Sequence, residues 1–116
     1  MAVKLGKLTP TKLAVDREAF DKLEPAIHTK ARLAIMSVLA ASESLSFTEL
    51  RDGLRLTDGN LAAHLRALVD AGLVRLRKIG NPNKPTTAVS LSTAGRIAFM
   101  RYLDGLEHIV KRHRYR

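Results

Sequence analysis

The stretch LSFTELRDGLRLTDGNLAAHLRALVDAGLV, residues 45–74, contains two helix starts and one helix stop in close succession. Ser46 and Glu49 stand at the spacing of a capping box, in which the hydroxyl accepts from the third helical amide and the carboxylate reaches back to the cap amide. Leu45 and Leu50 hold the flanking positions of a hydrophobic staple, so a short helix is expected to run to about Gly53. The device recurs at once: Thr57 is a second N-cap, with Leu56 and Leu61 as its staple. Leu61, Leu65, Leu68 and Val69 then share one helical face. Gly72 followed by Leu73 predicts a Schellman stop, because glycine adopts the left-handed backbone that such an ending needs. Two short helices joined by a tight turn, the second over residues 57–71, form a helix-turn-helix pattern. Those apolar positions alone also suit an ordinary helical pair.

Upstream, Pro25 suits a first helical residue, and Ile27, Ala31, Ala34, Ile35, Val38 and Leu39 recur at helical spacing, which predicts a helix over 25–41. Residues 1–23 read as an arm, with a helical turn between Asp16 and Leu23. Downstream, the runs 73–79 and 86–91 are strand-like, and the turn formers from Gly80 to Pro85 separate them. Two-residue alternation sends Val74 and Leu76 one way and Arg75 and Arg77 the other. Ser92 or Thr93 then caps a long last helix. In it Phe99, Leu103, Leu106 and Val110 alternate in steps of four, three and four, the spacing of a short coiled-coil seam between two copies. Packing of that seam on the chain's own first helix is the alternative. The fold class expected is mainly α with a small β-hairpin (α+β), divided into an arm (1–23), a core (24–91) and a C-terminal helix with a basic tail (92–116).

A chain of 116 residues is of single-domain size. It has no cysteine, which excludes disulfides, thiolate metal sites and cysteine nucleophiles. No apolar run approaches the ~20 residues that cross a bilayer, and residues 1–11 lack the apolar centre of a secretory signal. A cytoplasmic protein without a membrane partner is expected. The net charge of +9 is uneven, since residues 51–116 hold thirteen Lys and Arg against five Asp and Glu. A segment so basic attracts a polyanion. Neither a glycine-rich phosphate loop, nor HExxH, nor a plausible carboxylate pair is present, so catalysis and a cofactor are not expected.

Three stretches carry a resemblance: HTKARLAIMSVLAA from His28, the helix-turn-helix segment from Leu45 with the basic residues after it, and LSTAGRIAF from Leu91. In them the chain resembles the small winged-helix regulators of the MarR and ArsR type, over residues 28–99. The resemblance implies a winged helix-turn-helix with an added long C-terminal helix. It further implies a sequence-specific regulator of transcription that binds double-stranded DNA as a homodimer, on an inverted repeat with half-sites about one DNA turn apart.

Carried over by position, the groove-facing residues are Thr57, Asp58, Gly59, Asn60, Ala63, His64 and Ala67. Asn60 and His64 fall one turn apart on the same flank. Asn60 suits an adenine edge or a phosphate and His64 a guanine edge or a phosphate, against helix-end capping or plain exposure. Asp58 favours the helix start electrostatically and is read as a cap. Arg51, Arg55 and Arg66 are expected to clamp phosphates, not to read bases. On the wing, Arg75, Arg77, Lys78, Asn81, Asn83 and Lys84 suit the backbone or the minor groove. The tail residues Lys111, Arg112, Arg114 and Arg116 either touch DNA or fray.

Glu107, His108 and His113 are of the residue types, acidic and histidine, that bridge the dimer helices in metal sensors of the ArsR type, but their spacing does not require a metal and none is expected. Two other functions fit parts of the pattern. One is a winged-helix protein-interaction module of the transcription machinery, for which Ala63 and Ala67 speak; the other is nonspecific nucleic-acid binding. No motif specifies a small-molecule effector or the sign of regulation.

Overall fold

The computed structural model describes residues 16–114, in the order α1 (Arg17–Asp21), α2 (Lys30–Ala40), β1 (Leu45–Ser46), α3 (Phe47–Gly53), α4 (Asp58–Asp70), β2 (Val74–Ile79), β3 (Thr86–Leu91) and α5 (Thr93–Arg114). Most of the expected N-terminal arm, residues 1–15, and Arg116 of the tail lie outside the described residues.

Local hydrogen bonds set most of these boundaries. The capping box is complete: the Ser46 hydroxyl accepts from the Glu49 amide at 3.0 Å, and the Ser46 amide donates to Glu49 Oε1 at 2.9 Å. That backbone donor, with the hydroxyl, holds the Glu49 carboxyl below its ordinary range. Thr57 caps α4 by accepting from the Asn60 amide at 3.1 Å. At the far end, the Leu73 amide donates to Leu68 O and the Gly72 amide to Val69 O, each at 2.9 Å, with Gly72 at φ 76°. This is the Schellman ending that the glycine predicted.

Two expectations need correction. Residues 25–28 form a turn rather than the first turn of α2, because Thr29 is extended and its hydroxyl caps the helix by accepting from the Arg32 amide at 3.1 Å. Ile27 satisfies the helical period only because the turn buries it fully as well. The hairpin is also joined by a third strand: the sheet order is β1-β3-β2, with Leu45 opposite Val89 and Ser46 opposite Ala88. Two residues are too few to display a strand period, so β1 is set by its partner and not by its own pattern.

The core gathers Ile35, Met36 and Leu39 from α2, Leu50 from α3, Leu61, Leu65 and Leu68 from α4, Val74 and Val89 from the sheet, and Phe99 and Tyr102 from α5. Each side chain so buried contributes about 1.5–3 kcal/mol of transfer free energy. Ser92, not Thr93, caps α5. It is buried, its hydroxyl donates to Gly72 O at 2.6 Å and accepts from the Gly95 amide at 2.8 Å, and its amide donates to Leu73 O at 3.0 Å. The last helix is thereby tied to the end of α4. Gly95 permits the approach, since a Cβ there would lie 1.9 Å from Leu73 O.

Farther along, α1 lies across α5 at Gly105, where a Cβ would meet Ala19 O at 2.5 Å. Lys22 of the following segment pairs with Asp104, and His28 Nδ1 lies 2.6 Å from the buried Tyr102 hydroxyl. Among the described residues, no helix is long and apolar enough to cross a membrane.

Candidate nucleic-acid interface

Helix α4 presents its inward stripe through Leu61, Leu65 and Leu68, which are at most 2% exposed. The opposite side is open: Thr57, Asp58, Gly59, Asn60, Ala63 and Arg66 are exposed, while His64 and Ala67 are half-buried. Asn60 and His64 do share a flank, but at about 100° per residue His64 lies nearer the inward stripe than the outward side. Its reach toward a groove is therefore the smaller of the two.

The turn before α4 is held by a charge network that the sequence did not reveal. Arg51 donates through Nε to Asp52 Oδ1 and through a terminal nitrogen to Asp58 Oδ1, both at 2.9 Å. Asp58 is thus paired in the first turn of α4, and Arg51, expected to hold a phosphate, is engaged within its own motif. Residues seven apart meet only because the chain reverses between them. Arg55, in that reversal, has φ 55°, a left-handed backbone unusual for a side chain of its size, and its side chain is exposed.

Strand register decides the faces of the wing. Arg75, Arg77 and Ile79 share a face with Ser90, Ala88 and Thr86, whereas Lys78 lies on the other face with Val74 and Leu76. Leu76 points the same way as Val74, yet it is 48% exposed against 4% for Val74, since it stands farther along the edge strand β2, while Val89 opposite it on the central strand is fully buried. Asn81 shapes the tip: its side-chain oxygen accepts from the Asn83 amide at 3.0 Å and the Lys84 amide at 2.8 Å. The side chains of Asn83 and Lys84 are exposed beyond it.

The expected seam on α5 divides. Phe99 is 4% exposed within the chain's own core and Leu106 packs against that core, whereas Leu103 and Val110 remain 38% and 46% exposed. A periodicity of four and three marks one helical face without saying which neighbour covers it. At the C-terminal end, Glu107 pairs with Lys111 at 2.8 Å, and His108 Nδ1 sits 2.8 Å from Asp104 O.

An exposed polar helix after a tight turn, followed by a cationic hairpin, is the arrangement that offers a helix to the major groove. The family profile described as "Winged helix DNA-binding domain" matches residues 31–110, most of the chain. The chain belongs to this family.

Relatives of this winged-helix domain agree with that membership. An uncharacterized protein of Methanocaldococcus jannaschii is 35% identical over 72 residues, spanning 62% of this chain and 78% of the relative. Among solved structures, a transcriptional regulator homologue from Pyrococcus horikoshii OT3 superposes with a TM-score of 0.77 at 27% identity, covering 84% of this chain and 98% of its own. The S. aureus MepR–DNA complex superposes with a TM-score of 0.64 at 17% identity, covering 84% of this chain and 79% of MepR; at that identity the likeness is one of fold. The resemblance to MarR and ArsR type regulators therefore holds across the winged-helix domain.

Proposed function

We propose that this winged-helix domain is a sequence-specific transcriptional regulator, which inserts α4 into the major groove of double-stranded DNA and grips the backbone or minor groove with the wing. The observation that carries the proposal is the outward side of α4, where Asn60 and Arg66 are exposed, followed in the chain by a hairpin whose Arg75 and Arg77 are exposed as well, in a family of DNA-binding domains. The solved relatives named as a transcriptional regulator homologue and as a DNA complex support it. The apolar side chains left on α5 and α1 support a homodimer: Ile97 and Met100 are each 59% exposed and Phe20 50%, in addition to Leu103 and Val110. A two-fold dimer presents paired helices to an inverted repeat.

Gel shifts of genomic fragments against random competitor, repeated over salt, test this reading. Selective retention that weakens linearly in log salt is expected, because each neutralised phosphate releases counterions. Uniform retention would mean nonspecific binding, and no retention a protein-interaction module. Within the same assay Asn60→Ala should change which duplex binds best. Arg77→Ala should weaken all duplexes about equally and flatten the salt dependence by about one counterion.

A further inference from the structure

We infer that Arg66 reads a guanine in the major groove and is a principal determinant of sequence preference, rather than the phosphate clamp its charge suggests. The inference rests on the DNA-reading role proposed above and names the base chemistry of that same helix.

Direction is the first argument. With the buried Leu61, Leu65 and Leu68 marking inward, a step of about 100° per residue puts Arg66 roughly 50° from the outward direction, Asn60 roughly 70° and His64 beyond 90°. Arg66 is thus the most outward-facing cation on α4, and it is exposed. A clamp on the flanking backbone belongs at the sides of the helix, where Asn60 and His64 sit.

Surroundings are the second. Long helical side chains lean toward the N-terminal turn, so Arg66 lies over Ala62, Ala63 and Gly59, all exposed and none with a side chain larger than a methyl group. That is the half of a recognition helix that meets base edges. Gly59 has no reason of its own chain to lack a Cβ, since one built there meets nothing within 4 Å and its φ is not positive. A glycine in a helix costs about 1 kcal/mol relative to alanine, and close approach of a partner backbone is the use that offsets it.

Freedom is the third. Arg51 is held by Asp52 and Asp58, but among the described residues the Arg66 side chain makes no ion pair or hydrogen bond, even with Asp70 one turn on. Asp70 is exposed on the same outward side at the far end of the helix, where it would repel phosphates. An unpaired guanidinium fork over a methyl-sized track fits the O6 and N7 acceptors of guanine, while Ala63 and Ala67 suit thymine methyl groups.

The test selects duplexes from a randomised pool with the wild-type chain. It then measures wild type, Arg66→Ala and Arg66→Lys against the winning duplex and its single-position variants over a salt series. Wild type should require guanine at one position of each half-site, with replacement costing about 10- to 100-fold. Both variants should lose that preference alone, and lysine, which keeps the charge but not the fork, should not restore it. The inference is overturned if Arg66→Ala weakens every duplex alike, lowers the salt slope and is rescued by lysine, since that describes a phosphate contact. Wild-type chain that binds no duplex, or all alike, would instead remove the DNA-reading role, and this inference with it.

Discussion

The side chains of the turn between α3 and α4 do less than their charges advertise and more than their spacing reveals. Arg51 was legible as a cation but not as the latch on Asp58, because the ion pair exists only once the chain has turned back. If the latch keeps Asp58 from repelling phosphates, Asp58→Asn should raise DNA affinity more in an Arg51→Ala background than in the wild type. Equal gains in a double-mutant cycle would mean that the two residues act independently. Thermal stability should hardly change, as exposed ion pairs contribute little. Arg55 gives a second test. Its left-handed backbone is strained for any residue with a Cβ, so Arg55→Gly should stabilise the fold by about 0.5–1 kcal/mol by chemical denaturation, while removing one exposed cation. Loss of stability instead would show that the arginine side chain itself holds the turn.

Elements were readable where their boundaries are set by hydrogen bonds three or four residues long. The caps at Ser46 and Thr57 and the stop at Gly72 all depend on such bonds, and all three stand where the residue types put them. Where a boundary depends on a distant neighbour, the pattern misled or fell silent. The start of α2 was displaced because Ile27 is buried by a turn, and β1 was invisible because its pairing with β3 spans more than forty residues. Ser92 belongs to both cases: a cap by type, yet also a buried bridge from α5 to Gly72 O. Ser92→Ala should therefore cost about 1–3 kcal/mol, more than an exposed cap, since it removes the cap and leaves the Gly72 carbonyl without this donor. A loss no greater than that of Thr57→Ala, measured by urea unfolding, would reduce Ser92 to an ordinary cap.

At the scale of the whole molecule, the exposed apolar residues on α5 are the surface on which the dimer proposal stands. Leu103→Glu should leave the monomer's unfolding temperature nearly unchanged while shifting sedimentation toward the monomer and weakening binding to an inverted repeat more than to a half-site. An unaltered oligomeric state would place the interface elsewhere. Phe99, from the same heptad-like spacing, could not serve in this test, because it fills the core and its replacement would unfold the chain. By itself the sequence determined the caps of α3 and α4, the stop at Gly72, the basic hairpin and the inward leucines of α4, since all of these follow from short-range bonds and from the period of a helix or strand. Only the tertiary structure decided which side chains of the α5 seam turned inward, which arginine was already engaged and which stayed free. Those outcomes depend on which distant groups the folded chain brings within a few ångströms of each other, and a one-dimensional pattern carries no such distances.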